Sequence, residues 1–494
     1  MIRDRETLNQ LLALIDRFVT ERLIPRESEL AESGSLPEDI LDEMKAMGLF
    51  GLTIPEEYGG SSLDKTTAAI VVDYLAFSEC ASLMVTLGAH SGIGTLPIVW
   101  YGNESQKKKY LPKIANGEWM ACYALTEPNA GSDALNGDTT AYLNEEGTHY
   151  ILNGQKIYIT NGSWASVCVT FAKVDGKMTG FIVDKECTGW VIGAEEKKMG
   201  IKGSSTTSMF FENCKVPVEN VLGKVGQGAA IAFNSLYAGR WKLGFSSSAG
   251  CKTGIKLAFN FACERKQFSR SISSFPMIQN KFSKMIVKTW ESDTLNYFTT
   301  GSVDSSISKL DKNDERYYKK VERIIEDHAI EASICKVLGS EAMAYCADEG
   351  VQIYGGAGFI EEYPAAGMYR DERINRIFEG TNEINRLIIG GMLLKKAILE
   401  ELPIRDSIYN INNMDTDFSD YPENHLLTKE IEIIDYSRKL VLNTLNELII
   451  KYGQDLKNEQ WLLEPLADMV ISFSVMHLGF NRYNQQEDCK NKLN

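Results

Sequence analysis

Residues 374–386 read INRIFEGTNEINR and place a carboxylate, Glu379, after the bulky apolar pair Ile377 and Phe378 and before Gly380 and Thr381. Apolar neighbours that strip water from a carboxylate raise its pKa and make it a proton acceptor near neutral pH. A glycine beside it lets backbone approach a ligand closely. A second acid, Glu383, follows four residues on, the spacing that brings side chains over one helical face. Either acid could be a base, or both could be surface charge.

Other stretches carry polar and aromatic groups suited to a ligand. Residues 123–134, YALTEPNAGSDA, gather Thr126, Gly131 and Ser132 in a turn whose backbone N–H groups and hydroxyls could hold an anionic or heteroaromatic molecule. The plainer reading is a strand-to-loop turn. Residues 157–162, IYITNG, set Tyr158 and Thr160 before an Asn-Gly hairpin signal, which suits ring stacking or an ordinary strand end. Arg265 in ERKQF has the donor fork for a phosphate, or complements a helix C-terminus. Residues 351–359, VQIYGGAGF, are glycine-rich but follow a helical pattern, so a dinucleotide-binding strand-turn-helix is a poor fit. A close approach to a phosphate or another chain suits them better.

These groups need several folding units to hold them, since the chain has 494 residues. Its net charge of -15 opposes non-specific nucleic-acid binding. The ten cysteines form no CxxC pair and read as buried thiols in a reducing compartment. The five histidines show no metal-binding spacing, so no metal centre is expected. The N-terminal stretch lacks the apolar core of a signal peptide, and no continuous apolar run has the length of a membrane span.

Hydrophobic periodicity divides the chain into an α+β, multidomain arrangement. Residues 1–121 read helical, 122–223 as short β-rich runs, and 224–398 as long helices rich in small residues. A loop is expected around 301–314. In 399–494, an Asn/Asp/Ser-rich linker over 403–424 precedes two further helical patterns.

TEPNAGSDA, IYITNG, ERKQF, QIYGGAGF and FEGTNEINR occur in the order found in acyl-CoA dehydrogenases, and residues 25–398 resemble that family. The resemblance implies an N-terminal helical domain, a middle β domain and a C-terminal four-helix bundle. The tail is similar to the extra helical region of the very-long-chain subgroup. The implied reaction is α,β-dehydrogenation of a saturated long-chain acyl-CoA to the trans-2-enoyl-CoA, with Glu379 taking the α proton and hydride passing to FAD. Electrons would then go to electron transfer flavoprotein. The Glu379 N–H and a flavin ribityl hydroxyl would stabilise the enolate oxygen. Some relatives carry the base on the long helix just before an arginine; that place is Gly239, before Arg240, and glycine cannot take a proton.

By the same resemblance, Tyr123, Leu125, Thr126, Gly131, Ser132, Tyr158 and Thr160 would contact FAD, with Ser132 also near the acyl-CoA. Arg265, Gln267, Phe268 and Phe275, with Gln352, Gly355 and Gly356, would reach the FAD of a neighbouring subunit. Gly380, Thr381 and Glu383 would close the cofactor contacts, and Tyr237, Arg240, Glu379 and Gly380 would face substrate. Many relatives have tryptophan at Tyr158 and glycine at Ser269, and medium-chain relatives have an acid at Tyr237. Segments 80–95 and 232–244 are candidate walls of an acyl channel. A homodimer is implied, cytoplasmic, with peripheral association at the inner face of the membrane. The alternatives are an acyl-CoA oxidase using oxygen and a non-catalytic assembly protein on the same fold.

Overall fold

The computed structural model describes residues 5–32, 36–413 and 427–493. The N-terminal part contains α1 (Arg5–Phe18), α2 (Glu27–Glu32), α3 (Glu38–Ala46), α4 (Lys65–Ala76), α5 (Ala81–Ala89), α6 (Leu96–Tyr101) and α7 (Glu104–Ala115). In α1, Leu8, Leu12, Ile15 and Phe18 recur at helical spacing and are buried. Asp64 caps α4 by accepting from the Thr67 N–H, and Asn103 with Gln106 forms a reciprocal capping box on α7.

The apolar stretch around α4 and α5 looks continuous in sequence but breaks at Ser78–Cys80, where Glu79 has a φ of 63°. Between α5 and α6 the chain makes a π-type turn, His90–Gly94, with non-helical geometry at Gly92. Buried His90 ties this turn to its surroundings. Its Nδ1 accepts from the Ala121 N–H at 3.0 Å, so Nε2 carries the hydrogen and donates to the Ile114 carbonyl at 3.2 Å. Burial lowers the His90 pKa to about 4.

The middle sheet comprises β1 (Met120–Ala124), β2 (Thr140–Leu143), β3 (His149–Thr160), β4 (Ala165–Val174), β5 (Lys177–Asp184), β6 (Trp190–Glu195), β7 (Thr206–Pro217) and β8 (Val221–Leu222). Its order is β6-β7-β3-β2-β4-β5-β8, and β1 runs parallel to β4. The β3–β7 register shifts between Lys156 and Ile159, and Tyr158 in that irregularity has a φ of 59°. Such a bulge re-aims a side chain that would otherwise follow the strand's alternation.

The second helical part begins with α8 (Gly228–Glu264), followed by the short ribbon β9 (Lys266–Gln267) and β10 (Arg270–Ser271). Then come α9 (Pro276–Ser308), α10 (Tyr317–Asp327), α11 (Ala329–Tyr354), α12 (Pro364–Glu372) and α13 (Asn382–Ile398). The axes of α8 and α11 approach closely because glycines meet: a Cβ added at Gly339 would lie 2.9 Å from the Gly244 Cα. The expected loop at 301–314 is shorter, since α9 continues to Ser308. Val303 is buried there, and the Asp304 carboxylate accepts from the Lys65 and Thr66 N–H groups at the start of α4. That stabilisation comes from a helix packed alongside but remote in sequence.

The tail contains α14 (Ile404–Asn413), α15 (Thr428–Tyr452) and α16 (Gln460–Leu493). The linker assigned to 403–424 is therefore helical over α14, because Ile404 packs with Leu445 and Leu466; residues 414–424 of that linker lie outside the described residues. On α16, Leu463 sits against Gly390 of α13, and Asp468 accepts from Arg386 at 2.7 Å. One apolar cluster runs from Ile114 through Val169 and Trp241 to Ala467, so the tail shares the main core.

Candidate active site

A cavity of about 400 Å³ lies between the α5 turn, the Phe233-to-Thr253 stretch of α8, the ends of β1 and β3, and the 367–380 segment. Both candidate wall segments contribute: Val85, Gly88 and Ile93 from one, and Phe233, Leu236 and Leu243 from the other.

Glu379 faces this cavity from the loop before α13. It has a φ of 58°, a region that costs a non-glycine residue free energy and is kept where surrounding contacts over-determine it. Those contacts fall on backbone. Arg240 Nε donates to the Glu379 carbonyl at 3.1 Å, and Asn385 Nδ2 donates to the carbonyls of Gly380 at 2.8 Å and Thr381 at 3.0 Å. The carboxylate itself is left free: its Oε2 is buried and has no hydrogen-bond partner among the described residues. Gly239 makes the space for it, since an added Cβ there would lie 2.6 Å from Oε2.

Burial raises the Glu379 pKa to about 7, against the opposing charges of Arg240, Lys336 and Lys242. Each of those cations is anchored on a neutral acceptor. Lys336 Nζ donates to Asn382 Oδ1 at 2.6 Å and Lys242 Nζ to the Ser91 carbonyl at 3.0 Å. A carboxyl group poised near neutrality, facing an apolar slot without a hydrogen bond of its own, can take a weakly acidic carbon-bound proton.

The expected apolar shield is half present. Phe378 lines the cavity, whereas Ile377 is 48% exposed and does not. The expected stacking of Glu383 over Glu379 is also absent, because Glu379 precedes the helix. Thr381 is the N-cap of α13 and accepts from the Ile384 N–H, which puts exposed Glu383 in the first turn. The dipole-favoured position of an acid at a helix start explains it.

Tyr123, Leu125, Thr126, Gly131, Ser132, Tyr158, Thr160, Arg240, Glu379 and Gly380 all line the cavity. Tyr123 donates to the Ala232 carbonyl at 3.3 Å. Tyr158 is 65% exposed, with its side chain on the cavity wall. The loop bearing Gly131 and Ser132 is held by a pair that sequence reading did not single out: Lys156 Nζ lies 2.5 Å from Glu127 Oε1, and both side chains are buried. Glu127 also accepts from the Thr139 N–H at 3.1 Å and from the Asp138 N–H.

Tyr237 does not line the cavity. Its ring lies under the Arg240 guanidinium, 5.0 Å from centroid to Cζ, and so supports the arginine from behind. Arg265, Gln267, Phe268, Phe275, Gln352, Gly355 and Gly356 lie outside the cavity as well: Arg265, Gln267 and Phe268 at and beside the β9–β10 ribbon, Phe275 at the N-cap of α9, Gln352 in the last turn of α11, and Gly355 and Gly356 just after it. Phe268 there is 89% exposed. Lys242 and Lys336 were also missed, since one lysine in a long helix carries no local mark of burial.

Three family models match the chain: the acyl-CoA dehydrogenase N-terminal domain over residues 5–118, the middle domain over 122–214 and the C-terminal domain over 226–394. A probable acyl-CoA dehydrogenase of Bacillus subtilis is 44% identical over 439 residues, covering 88% of this chain and 74% of that one. The very long-chain specific acyl-CoA dehydrogenase of Rattus norvegicus is 33% identical over 507 residues, covering 96% and 74%. Among solved structures, the acyl-CoA dehydrogenase of Bacillus anthracis complexed with FAD superposes with a TM-score of 0.91 at 42% identity, covering 96% of this chain and 81% of that one.

Proposed function

Because this chain belongs to the acyl-CoA dehydrogenase family and is an FAD-dependent enzyme of that class, we propose that it oxidises saturated long-chain fatty acyl-CoA thioesters to trans-2-enoyl-CoAs with Glu379 as the base. The observation that carries the long-chain reading is the run of cavity wall on α8. It extends from Gly239, against the carboxylate, to Thr253, about 21 Å along the helix at 1.5 Å per residue.

The residues present fit FAD. Tyr158 offers an exposed aromatic face, the hydroxyls of Thr126, Ser132 and Thr160 line the same cavity, and an added Cβ at Gly131 would meet nothing within 4 Å. FAD, when bound, accepts the hydride leaving the β carbon. The protein's own share is to orient the thioester, exclude water and receive the α proton on the Glu379 carboxylate. Developing negative charge on the thioester oxygen would be met by the Glu379 N–H, a donor that the Arg240 and Asn385 contacts hold in place.

Profiling flavin reduction with acyl-CoAs of increasing length tests the substrate class. Turnover should be greatest with long chains, and a maximum at short chains would refute the reading. Gly88 supplies a sharper version. An added Cβ there meets nothing within 4 Å, so the cavity is open at that point. Gly88→Leu should lower kcat/KM for long chains at least about tenfold while sparing short ones. An equal loss at all lengths would separate misfolding from channel filling.

We further propose that electrons pass to electron transfer flavoprotein and that the enzyme works as a cytoplasmic homodimer. The exposed Phe268 and the exposed Gln352, Gly355 and Gly356 support a second copy over that face. Light scattering that returned a monomer mass would overturn the dimer, and failure of purified electron transfer flavoprotein to reoxidise the substrate-reduced enzyme would overturn the acceptor.

Peripheral membrane association is supported by α15, where Ile433, Tyr436 and Leu440 are exposed at helical spacing. Deleting the tail would uncover core, so charge is the cleaner probe. Ile433→Glu with Leu440→Glu should reduce co-sedimentation with anionic vesicles and leave turnover intact; unchanged sedimentation would end the proposal.

A further inference from the structure

We propose that Lys242, through its charge on the α8 wall of the cavity, holds the carboxylate of Glu379 in its ionised form and so acts as a positioning residue for proton abstraction. The inference rests on the reading of Glu379 as the base.

Three observations carry it. First, Lys242 lines the same cavity as Glu379, three residues beyond Gly239, the residue against which the carboxylate is packed. A separation of three puts it near the same face of α8. Second, its amine is held by a place where the neighbouring backbone is broken. Nζ donates to the Ser91 carbonyl at 3.0 Å, and an added Cβ on Gly92, the non-helical residue of that turn, would lie 3.4 Å from it. The kink therefore offers an acceptor that an unbroken helix would not, and fixes the ammonium without engaging the carboxylate. Third, Glu379 Oε2 is buried without a hydrogen-bond partner among the described residues, so its negative charge has the surrounding cations to favour it.

The groups facing this pair are few. Arg240 and Lys242 on α8, Lys336 on α11 and Tyr123 on β1 act on Glu379. Lys65 on α4, His90 in the kinked turn and Glu379 itself interact with Lys242. Arg240 is committed to the Glu379 carbonyl and the Tyr237 ring, and Lys336 to Asn382. Removing either of those would disturb the loop or its helix cap. Lys242 is the cation that can be neutralised without touching the Glu379 loop.

Burial lowers the Lys242 pKa to about 7, which gives the effect a direction in pH. On the acid side Lys242 is charged and favours loss of the Glu379 proton. On the alkaline side the amine is neutral, but Glu379 is ionised without help. Its removal should therefore move the acid limb of the activity profile and spare the alkaline plateau.

The test compares holoenzyme with Lys242→Met and Lys242→Arg. Glu379 protonation is followed by difference infrared titration, using the carboxyl band that Glu379→Gln abolishes, and kcat/KM is followed against pH. Lys242→Met should raise the Glu379 midpoint and the acid limb together by roughly one pH unit, a tenfold loss of ionised base below it. Turnover should recover at high pH. Lys242→Arg, which keeps the charge, should hold both near their original positions. An unmoved infrared midpoint in Lys242→Met overturns the proposal, as does a midpoint that rises equally in Lys242→Arg. A shifted midpoint with an unshifted acid limb would uphold the charge coupling and instead defeat Glu379 as the base, so the two failures are distinguishable.

Discussion

Glu379→Gln holoenzyme is expected to keep its flavin and lose turnover by about a thousandfold, the scale of a positioned general base. Glutamine has nearly the shape of glutamate but cannot accept a proton at neutral pH. The hydrogen bonds that hold this loop run from Arg240 and Asn385 to backbone carbonyls at 379–381, so they survive the substitution. The flavin spectrum and thermal midpoint of the variant should therefore stay close to those of the parent. Because burial raises the parent carboxyl to about 7, parental kcat/KM should climb between about pH 6 and 8. That limb should be missing from whatever activity the variant retains. Turnover within a few-fold of the parent would remove Glu379 from the chemistry, and Glu383 would not replace it: it is exposed in the first turn of α13 and outside the cavity lining.

The largest loss of stability is expected from Lys156→Met. Lys156 and Glu127 are both buried, and the lysine also donates to the Leu125 carbonyl at 3.2 Å. Burial works against the charge of Glu127, but Lys156, Thr139 and the Asp138 N–H hold it ionised, with its pKa net below the usual carboxylate value. Removing the lysine strands a buried anion, which costs about 3–5 kcal/mol. The same pair anchors the loop that carries Gly131 and Ser132, so the variant should release FAD more readily as well as melt earlier. Adding Glu127→Gln should restore much of the stability, since the neutral amide keeps an acceptor for the Thr139 and Asp138 N–H groups. A single variant as stable as the parent would mean that the pair is not a structural anchor. A double variant no better than the single would trace the damage to packing of the lysine stem.

Much of the architecture was legible from periodicity. The change from helical to β texture near residue 122 coincides with β1, and the return to helix after 223 coincides with α8. Where the reading failed, the stabilising partner was remote. Residues 301–308 look like a loop because their serines and glycine are poor local helix formers, yet Asp304 caps α4, a neighbour in space that is remote in sequence. Residues 404–413 look like linker because asparagine, aspartate and serine make up half of them, yet Ile404 is captured by Leu445 and Leu466. The break at Glu79 is hidden for the converse reason: the apolar run continues on either side, and both flanking helices pack against α8.

At the site, the sequence by itself determined the chemical kinds of group: one carboxylate beside glycine and threonine, a hydroxyl-rich turn, and an aromatic strand end. Their order along the chain pointed to one family. Only the tertiary structure decided which acid has its carboxylate buried, because Glu379 and Glu383 differ by four positions yet stand on opposite sides of a helix start. It also decided what surrounds the buried one: Gly239 makes room for the carboxylate, while Arg240, Lys242 and Lys336 bring charge from α8 and α11. Charge interaction falls with distance in space and strengthens as water is excluded. Neither quantity is written in the neighbours of a residue along the chain.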